Sequence, residues 1–491
     1  MYRNHLLHII LHWILHGNRD SFISILPSVM VPKLLRSLLS PRLPLTKFWK
    51  KSRIGKTLII TLAVLAFLTA LPSGLEISRV QAATPTYTID PAGLLHHDWS
   101  YLIYKSGSDY YAINGDTCVV DYGGSLDAGG VDGTDAATVI QSAIYASPNG
   151  GKIVLKGKFS LTATLILETS IWLAGIGVGG TGYEEATILE NLQTDGSHCI
   201  SASGKVHLKI SDMLIVGNEN SGDGIRVENS EIIVDNVFVS SHGGYGFYGI
   251  DCFNGRGLFF SQFYGNGKAG VYMNNCNGFA VEHVICKSNT EEGLVTIGCE
   301  ALKIDDGLFE ANGKDQILIW QVVHGTSIMG AYVEYNSDTY YGINLKGVSA
   351  SYKSRGIHIG GGTLVHNSGA NSAIRLEYVD HCKIEACSLS VPAGVPHISI
   401  GAGVTNLIID PTVEQYGDGT KQYTENSGTA TFSGTSVEIA HGLAGTPDQV
   451  FASFNSTGYS GYTWTANSTH ITITVANTGD YTVYWRAYYE P

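Results

Sequence analysis

Trp320, Asn344, Lys346, Arg375, Glu377 and Tyr378 fall in three successive copies of one short phrase, QILIW, GINLK and AIRLEY. If each phrase is a strand, alternate residues share a face. One outward column then runs Trp320–Lys346–Glu377 and its neighbour runs Leu318–Asn344–Arg375. β-Elimination on a uronide needs a base near C5 and a cation that neutralises the adjacent carboxylate. Arg375 has the bidentate geometry for the carboxylate. Lys346 is the candidate base, on the condition that its cationic neighbour favours the unprotonated amine. Glu377 and Tyr378 complete the candidate catalytic group, and Asn344 the polar contacts to substrate. Tyr248, Tyr272 and Trp320 offer exposed rings of the kind that stack on sugar faces. The same columns also describe a plain cross-strand ion pair between Lys346 and Glu377.

Carboxylates elsewhere invite two further readings. Glu228 and Glu377 share the outward face but lie six repeats apart, roughly 29 Å at strand spacing. A glycosidase needs its pair within about 5–9.5 Å, so a hydrolase would have to use loop acids such as Asp251, Asp338 or Asp380. Glu282, Asp305 and Asp306, with Asp212, Asp235 and His283 nearby, present the oxygen ligands a calcium site uses. All occupy one bend (IVDNVF, VEHVIC, IDDGLF), where solvated turn residues are the expected composition. No cofactor is demanded by any motif; calcium is the one candidate.

The elements that must position these groups are legible as a repeat. A small residue followed by apolar, any, apolar returns at 224, 246, 270, 293, 316, 342, 373 and 397, at intervals of 22, 24, 23, 23, 26, 31 and 24. Such a period means a stacked array, and strand-length alternation makes it β. Columns of like residues follow. Ile225, Phe247, Val271, Leu294, Ile317, Ile343, Ile374 and Ile398 form one. Ser230, Cys252, Cys276, Cys299, Val322, Val348 and Val379 form a second. Ile215, Val239, Phe263, Cys286, Phe309, Val333 and Leu364 form a third. The cysteines are therefore interior filler and free thiols. A fourth column, Asn218, His242, Asn266, Asn289, Asn312, Asn336 and Asn367, predicts a rung-to-rung amide ladder at a turn. The expected fold is all-β: a right-handed parallel β-helix over residues 134–411, its N-terminal end covered by an amphipathic helix at Thr134–Ser147.

The opening of that region, DYGGSLDAGGVDGTDAATVIQSAI and then NGGKIVLKGKFSLTATLIL, resembles the pectate-lyase-like β-helix superfamily of polysaccharide lyases, polygalacturonases, uronate epimerase-like proteins and phage tailspikes. The resemblance covers roughly residues 115–411 and implies a substrate cleft on the outward face of the first strand of each rung. A fold hosts many activities. The polygalacturonase residues are not carried over, because His242-Gly243 precedes Asp305-Asp306 and the remaining elements of that pattern are missing.

Charge and leader set the compartment. The chain carries 30 Lys+Arg against 43 Asp+Glu, a net −13. Residues 1–82 hold eleven basic side chains against Asp20 and Glu76, so this segment carries +9 and the rest −22. That acidity argues against nucleic acid and anionic membranes as partners. Lys47–Lys56, the uncharged run Thr57–Leu71 and the small-residue site near Ala82 read as a secretory signal, with a start set too far upstream. No membrane span is expected in the mature chain, which would be secreted or held at the cell surface. Residues 83–133 lead into the solenoid and 412–426 form a linker. Residues 427–491, rich in Thr, Val and Tyr, resemble the small β-sandwich at the ends of phage tail fibres, which implies glycan binding or homo-oligomer formation. Three functions fit: a carbohydrate-active enzyme of the lyase type, a non-catalytic glycan-binding surface protein of adhesin or tailspike type, and a glycoside hydrolase using loop carboxylates.

Overall fold

The computed structural model describes residues 98–491 apart from 179–185, 255, 323, 337–338, 369–370, 417–422 and 456–460. The leader and Asp338 lie outside these residues. Ten short parallel strands stack into one sheet: Leu165–Ile166, Ile200–Ser203, Ile225–Glu228, Phe247–Ile250, Val271–Asn274, Leu294–Ile297, Ile317–Trp320, Ile343–Lys346, Ile374–Glu377 and Ile398–Ile400. Each is the first strand of a rung. The second and third strands of the rungs join a 23-stranded sheet, giving a parallel β-helix. Register is one residue on one residue: Ile225 pairs with Phe247, Phe247 with Val271, and so on to Ile374 with Ile398. The third-strand column from Ile215 to Leu364 pairs in the same way.

Stacked rungs require tight corners, and these are left-handed. The corner between second and third strands places Asp212, Asn236, Phe260, His283 and Asp306 at φ of 48–58°, where Asn and Asp are tolerated and Gly is free. In later rungs the same corner falls to Gly330 and Gly361. The conspicuous acids of the sequence thus serve this bend. The amide ladder closes as a chain: Asn266 Nδ2 donates to Asn289 Oδ1 at 2.9 Å, and Asn289 Nδ2 to Asn312 Oδ1 at 2.8 Å. It ends on Gln316, whose Oε1 accepts from Asn312 Nδ2 at 2.6 Å. The side chains of residues 336 and 367 lie outside the described set.

Seven of the eight cysteines are buried, each without a disulfide, and Cys118 is exposed. One column member departs from expectation. Val348 is 49% exposed, because the 31-residue rung inserts a turn after Lys346, bridged between Ser349 and Tyr352. Ser354 takes the vacated interior place, pairing with Val379 and accepting from the Val322 N–H at 3.1 Å.

The N-terminal end is covered by the helix Ala136–Tyr145. Asp135 caps it, and Val139, Ile140, Ala143 and Ile144 are buried against the solenoid. Ahead of it, the hairpin Tyr101–Ser106/Asp109–Asn114 adds its first strand in parallel to Gly151–Lys156. At the other end stands one antiparallel sheet of four strands, Glu425–Ala440, Gln449–Phe454, Tyr462–Ala466 and His470–Tyr488. An irregularity at Gly434/Ser436 interrupts the pairing of its long strands. Ile439, Ile471 and Ile473 from one half share a core with Val450, Val483 and Trp485 from the other. The Ala452 N–H donates to Tyr462 Oη across the halves at 3.0 Å, so the sheet is sandwich-like.

Candidate functional site

The outward face of the ten-stranded sheet carries two side-chain arrangements, the first spread over four rungs and the second over three. The first occupies a concavity of about 400 Å³ lined by His198, Asp223, Arg226, Tyr245, Tyr248 and Lys268, with bare backbone at Gly222 and Gly244 among others. The glycines are a requirement of close stacking: a Cβ on Gly244 would sit 2.3 Å from Asp223 Oδ1, and one on Gly222 would sit 2.6 Å from His198 Nδ1. Asp223, only 4% exposed, anchors the site. Its Oδ1 accepts the Tyr245 N–H at 2.9 Å and its Oδ2 accepts from Arg226 Nη1 at 3.2 Å. Arg226 also donates to Glu228 Oε1 through Nε and Nη2, at 2.9 and 2.6 Å. Its guanidinium lies 4.3 Å from the Tyr248 ring centroid.

His198 Nδ1 is 3.3 Å from Asp223 Oδ2, yet it accepts the Asp223 N–H at 2.9 Å. Burial lowers the imidazole pKa, outweighing Asp223. We therefore assign a neutral ring bearing its proton on Nε2. Tyr248 and Tyr272 are stacked at 5.1 Å and 6°, and Tyr245 touches both at 5.2 and 4.9 Å. Burial first, then nearby Glu291, pushes the Tyr245 phenol up to about 12. Lys268 Nζ lies 4.8 Å over the Tyr245 ring.

The second arrangement contains most of the residues singled out from the sequence. The predicted columns form: Trp320, Lys346 and Glu377 are in register, as are Leu318, Asn344 and Arg375. The partners within them differ from expectation. Glu377 accepts from Arg375 Nη2 at 2.7 Å rather than pairing with Lys346, whose Nζ lies 4.9 Å over the Trp320 ring. Arg375 stacks 5.2 Å from the Tyr341 ring. Asn344 is no surface group. It is 5% exposed, its Nδ2 donates to Asp315 Oδ2 at 2.7 Å, and its Oδ1 is buried without a partner. Asp315, also 5% exposed, accepts the Tyr341 N–H at 2.7 Å through Oδ1. Burial pushes its carboxyl up, against those two donors. Tyr378 is not brought to this group. It stands at a left-handed corner (φ 52°) with its ring over Gly403.

Among the described residues no acid lies within ion-pair distance of Lys268 or Lys346, whereas Arg226 and Arg375 are both acid-paired. The remaining candidates are accounted for locally. Lys303 Nζ bridges Glu282 at 2.8 Å and Asp305 at 3.0 Å, while Asp306 lies 3.6 Å from His283 Nε2. Among the described residues, no group of three His, Cys, Asp or Glu is disposed to hold a metal ion. Asp251 accepts from Asn275 at a corner. Burial works against the Asp380 carboxylate, but Asn406, Thr405 and His381 hold its pKa at about 2. That value fits a fixed structural anion better than a proton carrier.

His198, Asp223, Tyr245, Lys268, Asp315 and Tyr341 were not among the residues picked out from sequence. A signal for four of them existed: the position just before each repeat phrase reads Asp223, Tyr245, Ala269, Glu292, Asp315, Tyr341, Ser372 and Pro396. Three acids and two tyrosines in a turn column are visible once the phrases are aligned.

A family model described as the right handed beta helix region matches residues 174–337. No curated protein matches the chain. Among solved structures it is similar to the Azotobacter vinelandii mannuronan C-5 epimerase AlgE6 A-module, at 18% identity over 58% of this chain and 87% of that one, TM-score 0.48. It is also similar to the Dettilon tailspike protein, at 11% identity over 72% and 91%, TM-score 0.37. A third is the catalytic domain of a GH87 alpha-1,3-glucanase in complex with nigerose, at 13% identity over 59% and 65%, TM-score 0.37. Among the described residues no helix is long and apolar enough to cross a membrane.

Proposed function

We propose that this right-handed parallel β-helix acts outside the cell on a uronic-acid-containing polysaccharide, by lyase-type β-elimination. The observation that carries the reading is the pair of lysines lying over aromatic rings with no acid within ion-pair distance among the described residues, Lys268 on Tyr245 and Lys346 on Trp320. On a chain whose residues beyond 82 carry −22, a polyanion is repelled unless local cations are free to receive it. Aromatic faces beside those cations suit the apolar face of a sugar. The rung spacing of about 4.8 Å is close to the length of one sugar in an extended chain, so a glycan lying along the solenoid axis meets successive rungs in register.

At the Trp320–Lys346–Arg375 arrangement, Lys346 Nζ, having released its own proton to solvent, takes the C5 proton. The electron pair forms the C4–C5 double bond, the C4–O bond breaks, and the leaving oxygen takes a proton from water. Arg375 neutralises the carboxylate conjugated with C5, exchanging Glu377 for the substrate. That exchange is what a second reading turns on. Because both arginines already hold a glutamate, a surface that binds acidic glycans without turnover requires no such rearrangement. Incubation with neutral and uronic-acid polysaccharides, with and without calcium, separates the readings. Unsaturated products absorbing in the ultraviolet support the lyase. Binding without products supports the glycan-binding protein, and new reducing ends without unsaturation identify a hydrolase. If activity survives both Lys346→Ala and Arg375→Ala, the assigned residues are wrong.

A further inference from the structure

The two arrangements on the first-strand face are built alike. In each, a buried aspartate sits two residues before a first strand, Asp223 before Ile225 and Asp315 before Ile317. In each, one carboxylate oxygen accepts the backbone N–H of the tyrosine that opens the next rung, Tyr245 or Tyr341, while the other is held by a side chain of the sheet, Arg226 or Asn344. In each, an arginine of an Arg-x-Glu strand lies on a tyrosine ring, and a lysine with no acid at ion-pair distance among the described residues lies on a second aromatic ring. The rungs between lack the anchor: Ala269 has no carboxylate, and Glu292 faces Lys314 at 3.8 Å. The arginine shares the rung of the anchoring aspartate in one arrangement and stands two rungs beyond it in the other, so the chemistry recurs without a copied sequence.

Resting on the reading of this face as a polyuronate surface, we propose that the two arrangements are a pair of anionic-sugar seats that hold one glycan chain at two points. The anchoring aspartates are four rungs apart, about 19 Å at strand spacing. At about one sugar per rung, an oligomer of about five residues is the shortest that reaches both. Shorter pieces occupy the seats independently. Longer ones convert the second contact into an intramolecular event at millimolar effective concentration, which raises affinity without new contacts.

Calorimetric titration of the full chain with oligogalacturonates and oligomannuronates of two to eight residues tests this. The expected result with at least one series is two equivalents of weakly bound dimer or trimer. Hexamer and longer should bind as one equivalent, at least about tenfold tighter. Lys268→Ala and Lys346→Ala should each remove that step and leave one equivalent of short oligomer. Both lysines are on the surface, so circular dichroism and Tm are expected to stay unchanged. Affinity that climbs smoothly with length at one equivalent throughout overturns the paired seats while leaving the polyuronate reading intact. The same holds if one lysine variant abolishes all binding and the other changes nothing. No binding of any acidic oligomer overturns both.

Discussion

The two seats share a plan but differ in how their buried acid is compensated. Asp223 is held by a guanidinium, Asp315 by the amide of Asn344 and a backbone N–H. The first is charge against charge in a concave site, where removal of one partner strands the other. The second is a carboxyl whose ionised form is penalised by burial and hydrogen-bonded only by neutral donors, with Lys346 and Arg375 acting at longer range and the amide oxygen beside it left unpartnered. Similar ligand chemistry at the surface therefore rests on different compensation beneath it, and the aspartates should answer differently to the same change.

The largest expected effect is Asp223→Ala, which leaves Arg226 short of a partner and the Tyr245 N–H unsatisfied. A loss of about 3–5 kcal/mol in chemical denaturation is expected. A loss under about 1 kcal/mol would show that Glu228 alone suffices for Arg226. Next come the paired amide substitutions. Asp223→Asn should destabilise by about 1.5–3 kcal/mol. Asp315→Asn should stabilise at neutral pH, on the order of 1 kcal/mol, because Asn344 can turn its orphan oxygen toward the new amide. The pH dependence sharpens this. Asp315 has a folded pKa above its unfolded value of 3.8, so the unfolded chain loses its proton first. Stability falls as pH rises from that value through the folded pKa. Asp315→Asn should erase that fall in Tm against pH, and Asp223→Asn should leave it in place. Equal responses from both variants would remove the distinction.

Smaller effects bear on the surface. Tyr248→Ala and Trp320→Ala should each weaken binding of a long acidic glycan about tenfold, with little change in Tm, if the rings act as sugar platforms. An effect at Trp320 alone would confine binding to the second seat. The smallest expected effect is none at all. Alkylation of the native protein should spare Cys252, Cys276, Cys286 and Cys299. Donation of the Cys276 S–H to Cys252 first, and then burial, push the Cys276 thiol up to about 12, and buried thiols are inert. Rapid labelling of Cys252 or Cys276 would mean that the rungs beneath the tyrosine strip open readily.

The solenoid was legible in the sequence because each rung lies directly on the last. Ile215 to Leu364 could be read as one column for the same reason that they pair residue on residue. Val348 misled because periodicity counts residues and cannot distinguish a continued strand from an inserted turn that returns the chain at Ser354. The candidate site was half legible. Strand alternation placed Trp320, Lys346 and Glu377 on one face. It could not say whether Lys346 would reach for Glu377 or for the ring of Trp320.

What the sequence determined by itself was the repeat, and with it which side chains point inward, which columns stack and which residues can share the outward face. Those follow from strand alternation and a nearly constant rung length, both local properties. Partner choice was decided only by the tertiary structure. Whether Asp315 and Asn344 are surface groups or a buried pair depends on how far the turn before one rung is covered by the next, and residues 29 positions apart become hydrogen-bonding neighbours only when the rungs close. Burial is a property of the assembled stack. The strength of every charge on this face depends on it, because a carboxylate is cheap in water and costly where its neighbours exclude water.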